Sequence, residues 1–559
     1  MTTIRSLPIE LLAQVLKCSA QDTQETWIQH LLDNPKAAPA ESAYDPVSRP
    51  IPRERVLDDP QPAPERMVAL ARVSRVWHDV TSAHSTLWAH VDVRDDAATI
   101  AMLKRAGAQP LTVTFRLPNA ELSAEARKDP DSRTALFRKI LESYIGRIDT
   151  LVMPLLPELQ TAQFASLATR LRRLIFIEPS PEIFDTEPAH APLLTHSAFP
   201  VLTTLVCRAP LWATLTPLCV STLTTLELFR TNPPSPEEMY DEDDEDDAYT
   251  TSMDELLRAL AKMPRLEHLA VEISEEPFNV PDTLALPQLR SLRVRAATDV
   301  CAALLRCLQL PRDVKLALQC LYGDSGPAEC NVLDLPRLLA EVFTDPSTLS
   351  SSFAPVRTAA LSGTQLGYTL CGWRDERALT GTGSDAPPDV ALALPLGAAH
   401  ADFRTVLGAL PLAELTSARL HGSLSWMRGE PVFACAKAFC CAPRLERLAL
   451  ECLYPSIAWE ILAATPATRI YLDHVQFEWE DDMRGDRKRT EQAERAWRRT
   501  FEFTDHILEF RAVLEKRKTL GLQPWTEMRG TEYHQKTENP IILEGLTRET
   551  WKRLFGRAK

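Results

Sequence analysis

Nucleophilic chemistry has one candidate in this chain, Ser325 within Gly323-Asp324-Ser325-Gly326-Pro327. A serine hydroxyl attacks a carbonyl only with a histidine base in hydrogen-bond reach and a carboxylate to orient that base. His84 precedes Ser325, but it falls in a segment that reads as helical packing, and ordinary turn chemistry accounts for Gly-Asp-Ser-Gly. Metal chemistry has less support. The 12 cysteines are scattered, only Cys440 and Cys441 are adjacent, and there is no Cys-x-x-Cys or His/Cys ladder of zinc spacing. No His-Glu-x-x-His, phosphate loop or dinucleotide fingerprint occurs, and glycine is scarce, at 18 residues. The expectation is a non-catalytic protein with no cofactor and no metal. Its thiols read as reduced and mostly buried, in the cytoplasm, the nucleus or both.

The serine segment is similar to the nucleophile segment of trypsin-like proteases, but the motif expected around the histidine is missing. Charge narrows the partners instead. The formal net charge is −14, and nine of the eleven residues from Glu237 to Asp247 are acidic, so −14 + 9 = −5 remains for the rest. No global basic field exists to neutralise phosphates, so nucleic acid is not an expected partner. The acidic run has nothing to bury and reads as a disordered loop over about 231–250. Ser235 and Ser252, each with an acidic residue three positions on, are phosphorylation candidates. No uncharged apolar run approaches the ~20 residues of a membrane helix, and Glu10 and Gln14 interrupt the apolar stretch that a signal peptide would need.

What remains is recognition chemistry, carried by apolar residues at helical spacing. Ser6 caps a helix that opens on Leu7-Pro8, where proline costs no hydrogen bond. Leu7, Leu11, Leu12, Val15 and Leu16 then form one wide apolar stripe. A second helix is expected over Arg66 to Val80, with Leu70, Val73, Val76, Trp77 and Val80 on its apolar side. A third short element, Ser85 to Val91, carries Leu87 and Trp88. A Leu-Pro opening, an amphipathic helix, Val73-Ser74-Arg75-Val76-Trp77 and a closing Leu87-Trp88 resemble the F-box family. The resemblance implies three helices that pack on the Skp adaptor and, through it, on a cullin-based ubiquitin ligase. It assigns Leu7, Pro8, Leu11, Leu12, Val15 and Leu16 to the adaptor contact. Val73, Trp77 and Trp88 would hold the helices together and complete that surface. The two halves are separated by an insert at about 19–63, with a capping box at Asp22 to Glu25 ahead of Trp27 and a proline-rich stretch after it. Loop-closure entropy grows by only about 0.6 kcal/mol per doubling of length, so the module can tolerate the insert.

From residue 110 onward a short pattern returns: apolar, two others, apolar, one other, apolar. Clear copies place Leu174, Leu226, Leu269, Leu292 and Leu448 at the middle position, and weaker ones place Leu151, Leu205, Ala359, Ala418 and Ile470 there. Steps of 21–23 residues separate several neighbours, the period of leucine-rich repeats. Helical stretches such as Met253–Met263 lie between copies. The copies resemble the degenerate repeats of fungal-type F-box proteins with leucine-rich domains. The expected fold class is therefore α/β. It comprises an N-terminal three-helix F-box-like module (1–92), an irregular leucine-rich-repeat solenoid (110–472) and a helical C-terminal cap (473–559). The implied function is a substrate-recognition subunit of a Skp/cullin/F-box ubiquitin ligase, with an unidentified target protein on the repeats. A non-ligase leucine-rich-repeat scaffold or interaction protein is the alternative.

Overall fold

The computed structural model describes residues 11–18, 72, 74–93, 96–115, 130–154, 168–177, 199–207, 218–229, 253–273, 283–311, 313–321, 355–364, 367–375, 388–395, 412–422, 439–440, 442–451, 455–473, 504–523, 527–531 and 541–543. The chain divides into two compact units, Met1–Glu275 and Glu276–Lys559.

The first unit is built on seven parallel strands in chain order: β1 (His90–Val93), β2 (Leu111–Phe115), β3 (Ile148–Pro154), β4 (Arg173–Ile177), β5 (Thr204–Cys207), β6 (Thr225–Leu228) and β7 (His268–Ile273). The recurring pattern sets their register. Val91, Val113, Leu151, Leu174, Leu205, Leu226 and Leu269 lie opposite one another in a single row. One residue of slip would turn every side chain to the other face, so burying this row fixes the pairing. The leading apolar residue forms the turn into each strand. Leu171, Leu202, Leu223 and Leu266 are fully buried, and each donates its N–H to the carbonyl three residues back at 3.0–3.3 Å. The following residue bonds to the equivalent turn of the preceding strand: Thr203 N to Arg172 O, Thr224 N to Thr203 O and Glu267 N to Thr224 O, at 2.8–2.9 Å. Thr203 and Thr224 add their hydroxyls to the same carbonyls at 3.2 Å.

Helices occupy the connections. They are α1 (11–18), α2 (Arg75–Ala83), α3 (Asp96–Ala106), α4 (Pro130–Tyr144) and α5 (Met253–Leu260). Phe137 of α4 stacks on Phe115 of β2 with ring centroids 4.2 Å apart. In the middle strands the opposite face is buried as well: Val152, Ile175, Ile177 and Val206 form an apolar cluster there. Burial on both faces is what parallel strands favour.

The second unit has ten strands in one sheet: β9 (Ser291–Ala297), β11 (Lys315–Leu321), β14 (Val390–Pro395), β13 (Gly367–Trp373), β12 (Thr358–Thr364), β15 (Ser417–Gly422), β16 (Arg447–Glu451), β17 (Arg469–Asp473), β18 (Glu527–Thr531) and β19 (Ile541–Leu543), in that spatial order. A separate parallel pair joins β8 (Leu284–Ala285) to β10 (Leu308–Gln309). This unit has an apolar row of its own through Leu292, Leu316, Val390, Gly372, Ala359, Ala418, Leu448 and Ile470. Strand β13 runs antiparallel to both neighbours, and β19 runs antiparallel to β18.

Three helices complete the second unit: α6 (Thr298–Cys307), α7 (Pro455–Ala464) and α8 (Thr504–Thr519). Buried Arg517 ties α8 to α7. Its guanidinium donates to the carbonyls of Leu462, Thr465, Ala467 and Gln523 at 2.5–3.3 Å, and burial lowers it to about 10. Helix α8 stops at Gly521, whose φ of +68° lets Leu522 N reach Arg517 O and Gly521 N reach Lys518 O. These two bonds cap the end of the helix.

The expected three-helix module, leucine-rich-repeat solenoid and helical cap are overturned by this arrangement, which is sheet-dominated: seven and twelve strands against eight helices among the described residues. The expected third helix is a single 3₁₀ turn, Ser85–Trp88, that runs into strand β1. The expected second helix does not span 66–80. Ser74 is extended, with φ −161°, and its hydroxyl accepts from Trp77 N at 3.3 Å, so α2 begins at Arg75. The antiparallel β12–β13–β14 arrangement breaks the expected one-strand-per-repeat order. At the C-terminal end, β18 and β19 extend the sheet where an all-helical cap was expected.

Candidate partner-docking site

Six large apolar side chains are exposed among the described residues, and three of them lie in the first two helices: Leu11, Val15 and Val76. Leu11 and Val15 sit one turn apart on α1 and are 53% and 54% exposed, whereas Leu12 and Leu16 are 3% and 2% exposed. The stripe read from sequence is thus split in two. One edge packs inward and the other faces solvent. Val76, 54% exposed, stands on the first turn of α2, while Val80 on the same helix is buried.

The residues around Val76 on α2 are held by polar contacts. Ser74 caps the start of α2. Thr81, fully buried, returns its hydroxyl to the carbonyls of Trp77 and His78 at 2.8 and 3.0 Å. Trp88 is buried, donates Nε1–H to Thr81 O at 2.7 Å and lies under the Arg105 guanidinium, 4.4 Å from the ring centroid. Its ring joins α2 to α3 and is not on the surface. Trp77 is half-buried. Leu7, Pro8 and Val73 lie outside the described residues, as do the Trp27 segment, the acidic run and Ser325. Val76 was part of the sequence pattern of α2 but not among the residues assigned to the adaptor contact. Its exposure on a short capped helix is what marks it.

The arrangement offers apolar contact. His84 is engaged locally, with Nδ1 2.8 Å from Val80 O at the end of α2. Among the described residues no group of three or more His, Cys, Asp or Glu side chains is placed to hold a metal ion. Six of the eight cysteines characterised there are buried, none of the eight is in a disulfide, and burial pushes the Cys219 thiol up to about 12 against a smaller lowering by Lys262. No described helix is long and apolar enough to cross a membrane.

Burying the exposed half of Leu11, Val15 and Val76 would release about 1 kcal/mol each. Micromolar affinity needs about 8 kcal/mol. Even taken together, burial of these three residues falls short of that figure. No family model matches the chain, and no curated protein matches it.

Proposed function

We propose that the chain is a substrate-recognition subunit of a Skp/cullin/F-box ubiquitin ligase, with the N-terminal helices docking the adaptor and the strand-rich body binding the target. The observation that carries this reading is the outward edge of α1, where Leu11 and Val15 stay exposed beside buried Leu12 and Leu16. A helix that keeps two large apolar groups in water on one face has a partner to cover them. Ubiquitin transfer belongs to other subunits. This chain contributes binding and proximity.

Capture of a purified Skp adaptor tests it. The wild-type chain retains the adaptor, and Leu11→Asp with Val15→Asp loses it while keeping the wild-type melting temperature. Substituting Leu12 instead would confuse docking with folding, because its side chain is buried. Failure of the wild type to capture the adaptor removes the ligase reading. The second reading is an interaction protein without a ligase role. It is favoured by the 3₁₀ turn that replaces a third helix, and it predicts that loss of adaptor capture leaves every partner's lifetime unchanged.

A further inference from the structure

The register of the last two strands brings two stretches of chain to one end of the second unit's sheet. Strand β19 runs antiparallel to β18, with Leu543 opposite Met528 and Ile541 opposite Gly530. The chain therefore leaves β19 at the end where it enters β18. Helix α8 reaches the same end. Only Pro524, Trp525 and Thr526 separate Gln523, just past that helix, from Glu527 at the start of β18, so the two are at most about 14 Å apart. The end of α8 is both cationic and apolar. Lys516 and Lys518 are exposed, and Leu520, at 55%, is the most exposed large apolar side chain among the described residues. The lysines complement the negative end of the helix, and Leu520 adds apolar contact beside them.

Residues 544–559 lie outside the described residues, and their sequence repeats that chemistry. Trp551, Leu554, Phe555 and Ala558 have i, i+3, i+4, i+7 spacing, which assigns them to one face of a helix. Arg548, Lys552, Arg553, Arg557 and Lys559 fall outside that face. Glu549 is the one acid among them, so residues 547–559 carry a net +4 in a chain of −14. An apolar face of Trp, Leu and Phe opposite Lys and Arg is the composition that settles in a bilayer interface. An acidic peptide would use the cations and leave the aromatic face in water, whereas an anionic lipid surface takes both.

We propose that residues 547–559, together with the corner of α8 at 516–520, bind the chain peripherally to an anionic lipid surface. Trp551, Leu554 and Phe555 enter the headgroup region, and the lysines and arginines meet the lipid anions. The proposal stands apart from the receptor reading. Co-sedimentation of the full chain with vesicles tests it. Wild type pellets with equal parts phosphatidylcholine and phosphatidylserine, stays in solution with phosphatidylcholine alone, and is released as salt rises. Trp551→Glu with Phe555→Glu weakens binding by about tenfold or more, as does the triple variant Arg548→Gln, Lys552→Gln and Arg553→Gln, and both keep the wild-type melting temperature. Leu520→Glu weakens binding by about threefold, whereas Val201→Glu, at an exposed apolar position of the first unit, leaves it unchanged. The proposal is overturned if folded wild type ignores the anionic vesicles, if it pellets equally with phosphatidylcholine alone, or if the double and triple variants bind as wild type does. It is also overturned if Leu520→Glu and Val201→Glu have the same effect, or if poly-glutamate binds through the same cations more tightly than the vesicles do.

Discussion

At Arg517 one side chain satisfies four backbone carbonyls from two parts of the second unit. Removing it leaves buried acceptors without a donor, so Arg517→Ala is expected to cost about 3 kcal/mol. The sign of its pH dependence follows from the depressed folded value of about 10 against 12.5. Below about 10 the group is charged in both folded and unfolded chains. Only above that does the unfolded chain hold the extra proton, and the group's contribution then rises with pH. The melting-temperature gap between wild type and Arg517→Ala should thus stay constant between about pH 6 and pH 9. A gap that changes across that window would contradict the assignment. Sequence did not disclose this residue, because Arg517 lies among the charged residues of a capping helix and nothing in its spacing sets it apart from them. Burial of an arginine depends on carbonyls some fifty residues away. The same limit applies to α1. Its stripe was visible from spacing, but spacing alone does not say that Leu12 and Leu16 are buried while Leu11 and Val15 are exposed.

Strands were legible where the full apolar pattern survives. Leu174, Leu205, Leu226 and Leu269 are all strand residues in one row. Strands β11 and β14 lack the leading apolar residue, since Asp313 and Pro387 stand three residues before Leu316 and Val390. The alternation Leu316-Ala317-Leu318 and Val390-Ala391-Leu392-Ala393-Leu394 was the signal that could have found them. The consistent asparagine expected of such turns is missing. Thr203, Thr224 and Thr416 take a comparable role by bonding their hydroxyls to the neighbouring turn. Gly372 shows what the antiparallel insertion requires. It fills a row position held elsewhere by larger residues, and an added Cβ would sit 3.1 and 3.3 Å from the two Cγ atoms of buried Val356. Gly372→Ala should cost about 1–3 kcal/mol by overpacking. Adding Val356→Ala should recover much of that loss, which a double-mutant cycle by chemical denaturation measures. A neutral Gly372→Ala would mean that the β12–β13–β14 packing is looser than its geometry indicates.

Composition left the whole-molecule architecture undetermined because order in the sheet is set by distant pairings. Strand β14 lies between β11 and β13, and β12 pairs with β15 more than fifty residues later. Charge is the property that composition does determine at this scale. The chain carries −14, of which nine negative charges lie between Glu237 and Asp247. Replacing the nine acids by serine or asparagine leaves a net charge of −14 + 9 = −5. The described elements on either side, β6 and α5, keep their buried residues, so stability should change by less than about 0.5 kcal/mol. Thermal melts of the two chains at pH 7 check this, and a clearly lower melting temperature for the substituted chain would mean that the acidic run braces the elements beside it.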